Sequence, residues 1–356
     1  MKFNLLIIAI SVLPHIVAAQ ISSGDSLLSN ERAIDRPLTL HAGQVRLTGA
    51  YALAILSRRY DLYGDAISLT DAGSSSTRHR FLFDIKYGVN DFIQVNFSNA
   101  YSRNVVRQRT QYIVPMDPDP VVSHDVVTNH AGIEDLYLGV DVRAPLKTRK
   151  VDIAVTLGAT LPTASFEPPA PEHSFESTRR DGDPFHKFTY RYHYRRGKGI
   201  TVARAGTMVK YRLAKFAFAA RVDYEHGLTD GKSFEWRHQL NDDGTFEYRK
   251  DPFTYRLPDT FLYFAEIEYQ PVPRLVVLAG AYGHTAYRGW TSSEEDLKVA
   301  VPYQTSWMIS SGAEMMITRR LWVRERVTLP LAARSYDAPL SFETSVMYNI
   351  FPFQND

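Results

Sequence analysis

The chain has 356 residues, 41 Lys and Arg against 39 Asp and Glu, a formal net charge of +2 and no cysteine. Balanced charge gives no support to nucleic-acid binding, and the absent thiols exclude disulfides, thiolate metal sites, cysteine nucleophiles and lipid attachment at a cysteine. Mean hydropathy is mildly negative, and no apolar run reaches the roughly 18 residues a membrane helix needs.

The one long apolar run opens the chain: MKFN, LLIIAISVL, then PHIVAA before Gln20. A lysine-bearing start, a short apolar core broken by Pro14 and His15, and small residues at Val17 and Ala19 predict a secretory signal peptide over 1–19. A membrane anchor is the competing reading, for which the core is too short. Residues 20–42 are polar and mixed, and read as a periplasmic lead-in or a small inward plug.

From Val45 the chain alternates with period two, as strands do when their two faces meet different surroundings. Val45, Leu47, Gly49, Tyr51, Leu53 and Ile55 oppose Gln44, Arg46, Thr48 and Ala50. After a long polar loop, Phe81, Phe83, Ile85 and Tyr87 oppose Arg80, Leu82, Asp84 and Lys86. A tight Gly88–Asp91 turn gives Ile93, Val95, Phe97 and Tyr101 against Gln94, Asn96 and Ser98. A second long loop, about 104–131, leads to a hairpin with a wholly apolar face. It sets Leu136, Leu138, Val140 and Val142, then Val151, Ile153, Val155 and Leu157, against Asp135, Tyr137, Gly139, Asp141, Arg143, Asp152 and Thr156. The longest loop, about 164–199, follows. Strands six and seven, about 203–212 and 216–225, flank a Leu213–Ala214 turn. Strands eight and nine, about 261–269 and 275–287, follow a charged loop. Strands ten to twelve run about 303–315, 321–333 and 342–350.

About twelve strands of membrane-spanning length result, with long connections alternating with short ones; only the Ser335–Pro339 link is short where a long one is due. Aromatic residues sit near both ends, among them Tyr87, Phe216, Tyr269 and Tyr348 at one and Phe81, Tyr101, Tyr224 and Phe261 at the other. The fold class expected is therefore all-β: a transmembrane up-and-down antiparallel barrel with short periplasmic turns, over residues 43–351, with a C-terminal extension 352–356. Glu325 falls with Val323 and Val327 on the outward face, which predicts a bulge or shifted register in strand eleven.

With apolar faces toward lipid, the opposite faces line the lumen. They carry Arg46, Arg80, Asp84, Lys86, Asp141, Arg143, Arg204, Arg221, Asp223, Glu266, Glu268, Arg324 and Arg326, and further charges such as Asp152, Lys210, Arg212, Glu225, Glu314 and Glu343. Such walls either screen solutes in an open pore or cross-link a closed one. His226, His284 and Ser292 lie near outer ends beside Glu225, but no GxSxG ties them together, and no catalytic residue is expected. His124, His130, His173, His186 and His193 lack metal-ligand spacing, and Asp117 and Asp119 read as turn formers. No metal and no cofactor are expected.

The hairpin residues Gly132, Asp135, Leu136, Leu138-Gly139, Leu157-Gly158 and Leu161-Pro162-Thr163 resemble those of the outer-membrane barrels of the phenol-degradation (meta-pathway) transporter-like family. The resemblance implies passage of small, often hydrophobic or aromatic compounds. The expected function is a passive, non-energised outer-membrane channel, with membrane lipid and a small solute as partners. Its alternating last strand is expected to engage the barrel-assembly machinery. A closed structural or adhesive barrel with binding loops is the alternative, and an outer-membrane hydrolase a more distant one.

Overall fold

The computed structural model describes residues 34–351 except 35, 57, 62, 70–73, 114–120, 147, 149, 165–171, 181–182, 193–197, 241–245, 293–297, 319 and 338. The expected signal peptide, residues 20–33, the extension 352–356, Asp117, Asp119 and His193 lie outside these residues. For His124, His130, His173 and His186 only the backbone is described.

Twelve antiparallel strands close into a barrel among the described residues: β1 (Val45–Leu56), β2 (Ser74–Gly88), β3 (Ile93–Ile113), β4 (Leu136–Arg143), β5 (Val151–Leu161), β6 (Val202–Leu213), β7 (Phe216–Gly227), β8 (Asp259–Val272), β9 (Leu275–Tyr287), β10 (Gln304–Met316), β11 (Leu321–Arg334) and β12 (Leu340–Ile350). Neighbours in sequence are neighbours in the sheet, and β12 pairs with β1 from Val45↔Ile350 to Ile55↔Leu340. Closure removes the sheet edge, so the backbone N–H and C=O groups of the wall are satisfied without water, as hydrocarbon demands.

Burial is reversed relative to a soluble β-fold. On β7, Phe218 and Val222 are 41% and 51% exposed while the alternates Ala217 and Asp223 are 0% and 3% exposed. Val155 on β5, 45% exposed, has the buried Asp152 and Thr156 on the opposite face of its strand. Outward rings meet across strands at both ends, Phe216 stacked on Tyr269 (4.8 Å between centroids) at the inner end, and Tyr224 tilted against Phe261 (5.0 Å) and Tyr51 against Phe81 (4.9 Å) at the outer. These are the two aromatic girdles of a membrane barrel.

Register also gives depth. Directly paired outward residues run from Phe216 and Tyr269 through Val277 and Ala313 to Glu325, then through Thr344 and Tyr51 to Phe81 and Tyr101. With strands tilted about 40° and about 4.8 Å apart, such a row climbs about 3 Å per strand. It starts in the inner girdle and ends in the outer one, and Glu325 is its middle member. A bulge is present in β11, but at Leu331, between the pairs Trp307↔Ala332 and Met308↔Pro330. The ladder around Glu325 is regular, so the bulge does not turn this carboxylate inward, and Glu325 is exposed.

Inner turns are short; the Leu213↔Phe216 link holds Ala214 at φ 51°. The outer connections, expected as loops, contain β-ribbons. β3 continues as far as Ile113, paired with Val121–Ile133, and a hairpin of Glu172–Arg180 and Asp183–Tyr192 adds to that strand in parallel. Gly231–Leu240 and Phe246–Arg256 form another hairpin. Glu172–Arg180, Gly231–Leu240 and Phe246–Arg256 carry charges at both odd and even positions, so the alternation that marks a wall strand is missing from them. The short β11–β12 link pairs Tyr336 and Asp337 with Tyr60 and Arg59 of the first outer connection.

Candidate functional site

At the inner mouth, the residues before β1 cross the barrel. Ile34 is fully buried among Ala217, Val276, Leu278, Met316, Trp322 and Met347, which point inward from β7 and β9–β12. Arg212 on β6 donates to the Ile34 carbonyl (3.0 Å), the Arg36 carbonyl (2.8 Å) and Asp152 (2.6 Å). The Arg36 guanidinium lies 4.2 Å over the Trp322 ring and pairs with Glu314, whose other oxygen accepts from Arg324 (2.6 Å). Farther along, the Leu40 N–H donates to Gln94 (3.0 Å), and the Thr39 hydroxyl to the Asp91 carbonyl (2.9 Å). The segment thus reaches from the β6–β11 wall to β2 and β3. Gly88 permits the crossing, because a Cβ there would stand 2.1 Å from the His41 carbonyl oxygen. In the β2–β3 turn, the Ala42 N–H donated to Asp91 (3.1 Å) holds that carboxyl below the usual carboxylate range.

Among the described residues, every inward charge singled out in the sequence except Glu343 has a polar partner. Arg46 donates to Asn349 (2.8 Å), and Lys86 lies 3.9 Å from Asp84. Asp141 accepts from Gln94 (2.9 Å), Asn96 (2.8 Å) and Thr156 (2.7 Å). Arg143 stands 4.0 Å from Asp152 and over the Phe92 ring. Asp223 takes Arg204 and Arg221, both at 2.7 Å; Lys210 reaches Glu268 at 2.9 Å, and Arg326 pairs with Glu266. Arg80 makes a two-pronged contact with Glu134 (3.1 and 2.9 Å), which Arg78 joins (2.9 Å). Glu134 escapes sequence reading because it sits between strands, where alternation has no phase. Arg36 and Ile34 escape it for the same reason.

Two cavities share Arg204. One, of about 380 Å³, has Leu262, Phe264 and Tyr282 facing Arg204, Arg221, Arg326, Asp223 and Glu343. The other, of about 490 Å³, lies among Arg78, Arg80, Glu134, Tyr137, Lys198 and Glu225. Tyr137 lines the second, its ring 5.6 Å from the Arg204 guanidinium that both share. The ring rests on Gly139 and Gly158, which face each other across β4 and β5; a Cβ at either would come within 2.5 Å of the Tyr137 hydroxyl. The paired Leu-Gly steps of this hairpin therefore make a flat bed for one aromatic ring.

Among the described residues, His226, His284 and Ser292 are not brought together. His226 is exposed on the outward face of β7, its Nδ1 2.6 Å from Asp259, whereas His284 points inward from β9. Ser292 lies in a short outer strand paired to Thr254. The hydroxyl that His284 does meet is Ser306 (2.7 Å), which has no exposed surface.

No protein-family model and no curated protein sequence matches the chain. Among solved structures, an outer membrane channel from Pseudomonas putida F1 superposes with a TM-score of 0.54 at 13% identity, over 87% of this chain and 96% of that one. The TodX monoaromatic hydrocarbon channel gives 0.45 at 9% identity, over 87% and 90% of the two chains. The translocator domain of the autotransporter NalP from Neisseria meningitidis gives 0.43 at 8%, with the same coverage. The chain has the fold of an outer-membrane β-barrel.

Proposed function

We propose that the protein is an outer-membrane channel passing a small solute down its own gradient, and that it belongs with the phenol-degradation transporter-like barrels its β4–β5 hairpin resembles. The observation that carries this reading is the pair of adjoining cavities on either side of Arg204. A lumen walled by ion pairs is wettable, and its balanced charge sets no strong barrier to either sign. In the 380 Å³ cavity, Arg204, Arg221 and Arg326 face Leu262, Phe264 and Tyr282. Guanidinium groups opposite apolar rings suit a small aromatic compound with a polar or acidic substituent. Arg80, Asp84, Lys86, Asp141, Asp223, Glu266 and Glu268 shape the wall; Arg46, Arg143 and Arg324 hold the inner mouth. The likeness in fold to a protein described as an outer membrane channel is in keeping with this role, as is the alternating β12 with a barrel delivered by assembly machinery. The segment from Ile34 to Gly43 favours the second reading, a closed barrel whose outer ribbons bind a partner.

Planar-bilayer recording separates the two. Discrete current steps are expected from the full-length protein, growing when Glu314→Ala frees the Arg36 end of the crossing segment. Silence from both proteins would establish the closed barrel instead.

A further inference from the structure

Glu325 sets a problem that its own chain does not solve. It is exposed at the middle of the membrane-facing row, between aromatic girdles. Across the ladder it meets Ala313 and Thr344, and along β11 Val323 and Val327; among the described residues its carboxylate has no ion pair or hydrogen bond. Acyl chains offer a carboxylate neither a charge nor a donor. Two exposed hydroxyls lie beside it: Thr344 on β12, and Ser311 on β10, one outward step beyond Ala313. By the climb of the row and the rise along a strand, both lie within about 3 Å of its depth. Ala313 carries only a methyl group, so another backbone can come close there.

We propose that the outward face of β10–β12 is covered by a second copy of this chain, related by a two-fold axis along the membrane normal. The Glu325 carboxylate of each copy accepts hydrogen bonds from the Thr344 and Ser311 hydroxyls of the other. A two-fold contact presents the same patch from both sides, so donor and acceptor must sit in one patch at one depth. This patch meets that condition.

The chain has no cysteine, so a single substitution provides its sole thiol. Full-length protein carrying Ser311→Cys, treated in its membrane with a short bismaleimide, is expected to form a covalent dimer several-fold more than protein carrying Val155→Cys. Val155 is outward and exposed on the opposite wall. Adding Glu325→Val to Ser311→Cys is expected to cut dimer formation several-fold. The heat-modifiable gel mobility of a folded barrel is retained, which separates loss of contact from loss of fold. Equal cross-linking at Ser311 and Val155, a cross-link to a different polypeptide, or no effect of Glu325→Val would each overturn the proposal. If the Glu325 variant fails to fold, native mass spectrometry of the unaltered protein in lipid nanodiscs decides: dimers support the proposal and monomers alone overturn it.

Discussion

Tyr137 shows how one side chain shapes the lumen. Its ring lies on two glycines and under Arg204, so the wall itself fixes its place. The atoms nearest a Cβ at Gly139 all belong to Tyr137. Gly139→Ala is therefore expected to destabilise the barrel by about 1–3 kcal/mol, and most of that cost should vanish in a Tyr137→Ala background. Urea unfolding of the four proteins in detergent completes the cycle; equal costs in both backgrounds would separate the glycine from the ring. Asp223 is the counter-charge of both Arg204 and Arg221. Asp223→Asn leaves two guanidinium groups facing the passage, and the reversal potential under a salt gradient is expected to move toward anion selectivity. At this scale the sequence was informative where a residue lies on a wall strand, since its parity gives its face. Tyr137 could be placed inward, but its glycine bed depends on register across two strands, which alternation within one strand does not carry.

At the scale of the element, the twelve wall strands were legible because lipid and lumen restrict their two faces differently. Val155 is the plainest case: outward, half-exposed and at mid-strand. Val155→Arg is expected to destabilise by about 2–4 kcal/mol in a bilayer, measured by reversible unfolding from lipid vesicles; a neutral result would contradict the outward placement. The β6–β7 turn carries Ala214 in the left-handed region, which suits glycine better. Ala214→Gly is expected to gain about 1 kcal/mol in the same assay. The outer ribbons were not legible, and the crossing segment only as the alternative of a small inward plug, for a shared reason. Wet on both sides or wrapped by a lumen, they have no pair of unlike faces to impose a period. Glu325 shows the converse: parity placed it outward correctly, and the bulge invoked to move it proves to lie elsewhere on β11.

The molecule as a whole is a cylinder with ionic groups facing its axis, apolar groups facing away, and one end crossed by its own N-terminal segment. Each feature follows from the same condition. Hydrocarbon satisfies no backbone or side-chain hydrogen bond, so the sheet closes and the charges pair inside. In the proposed channel, passage then depends on water reaching those pairs, and on how tightly Arg36, Glu314 and Arg212 hold the segment in the inner mouth. The reversed burial is what places the barrel in a membrane, and the proposed channel rests on that placement, so it is the claim to test first. Single spin labels at each position from 153 to 157, in the otherwise cysteine-free protein reconstituted in lipid, report collision with dissolved oxygen and with a water-soluble nickel chelate. The account predicts strong oxygen contact at 153, 155 and 157 and weak oxygen contact at 154 and 156; a reversed alternation, or none, would contradict it.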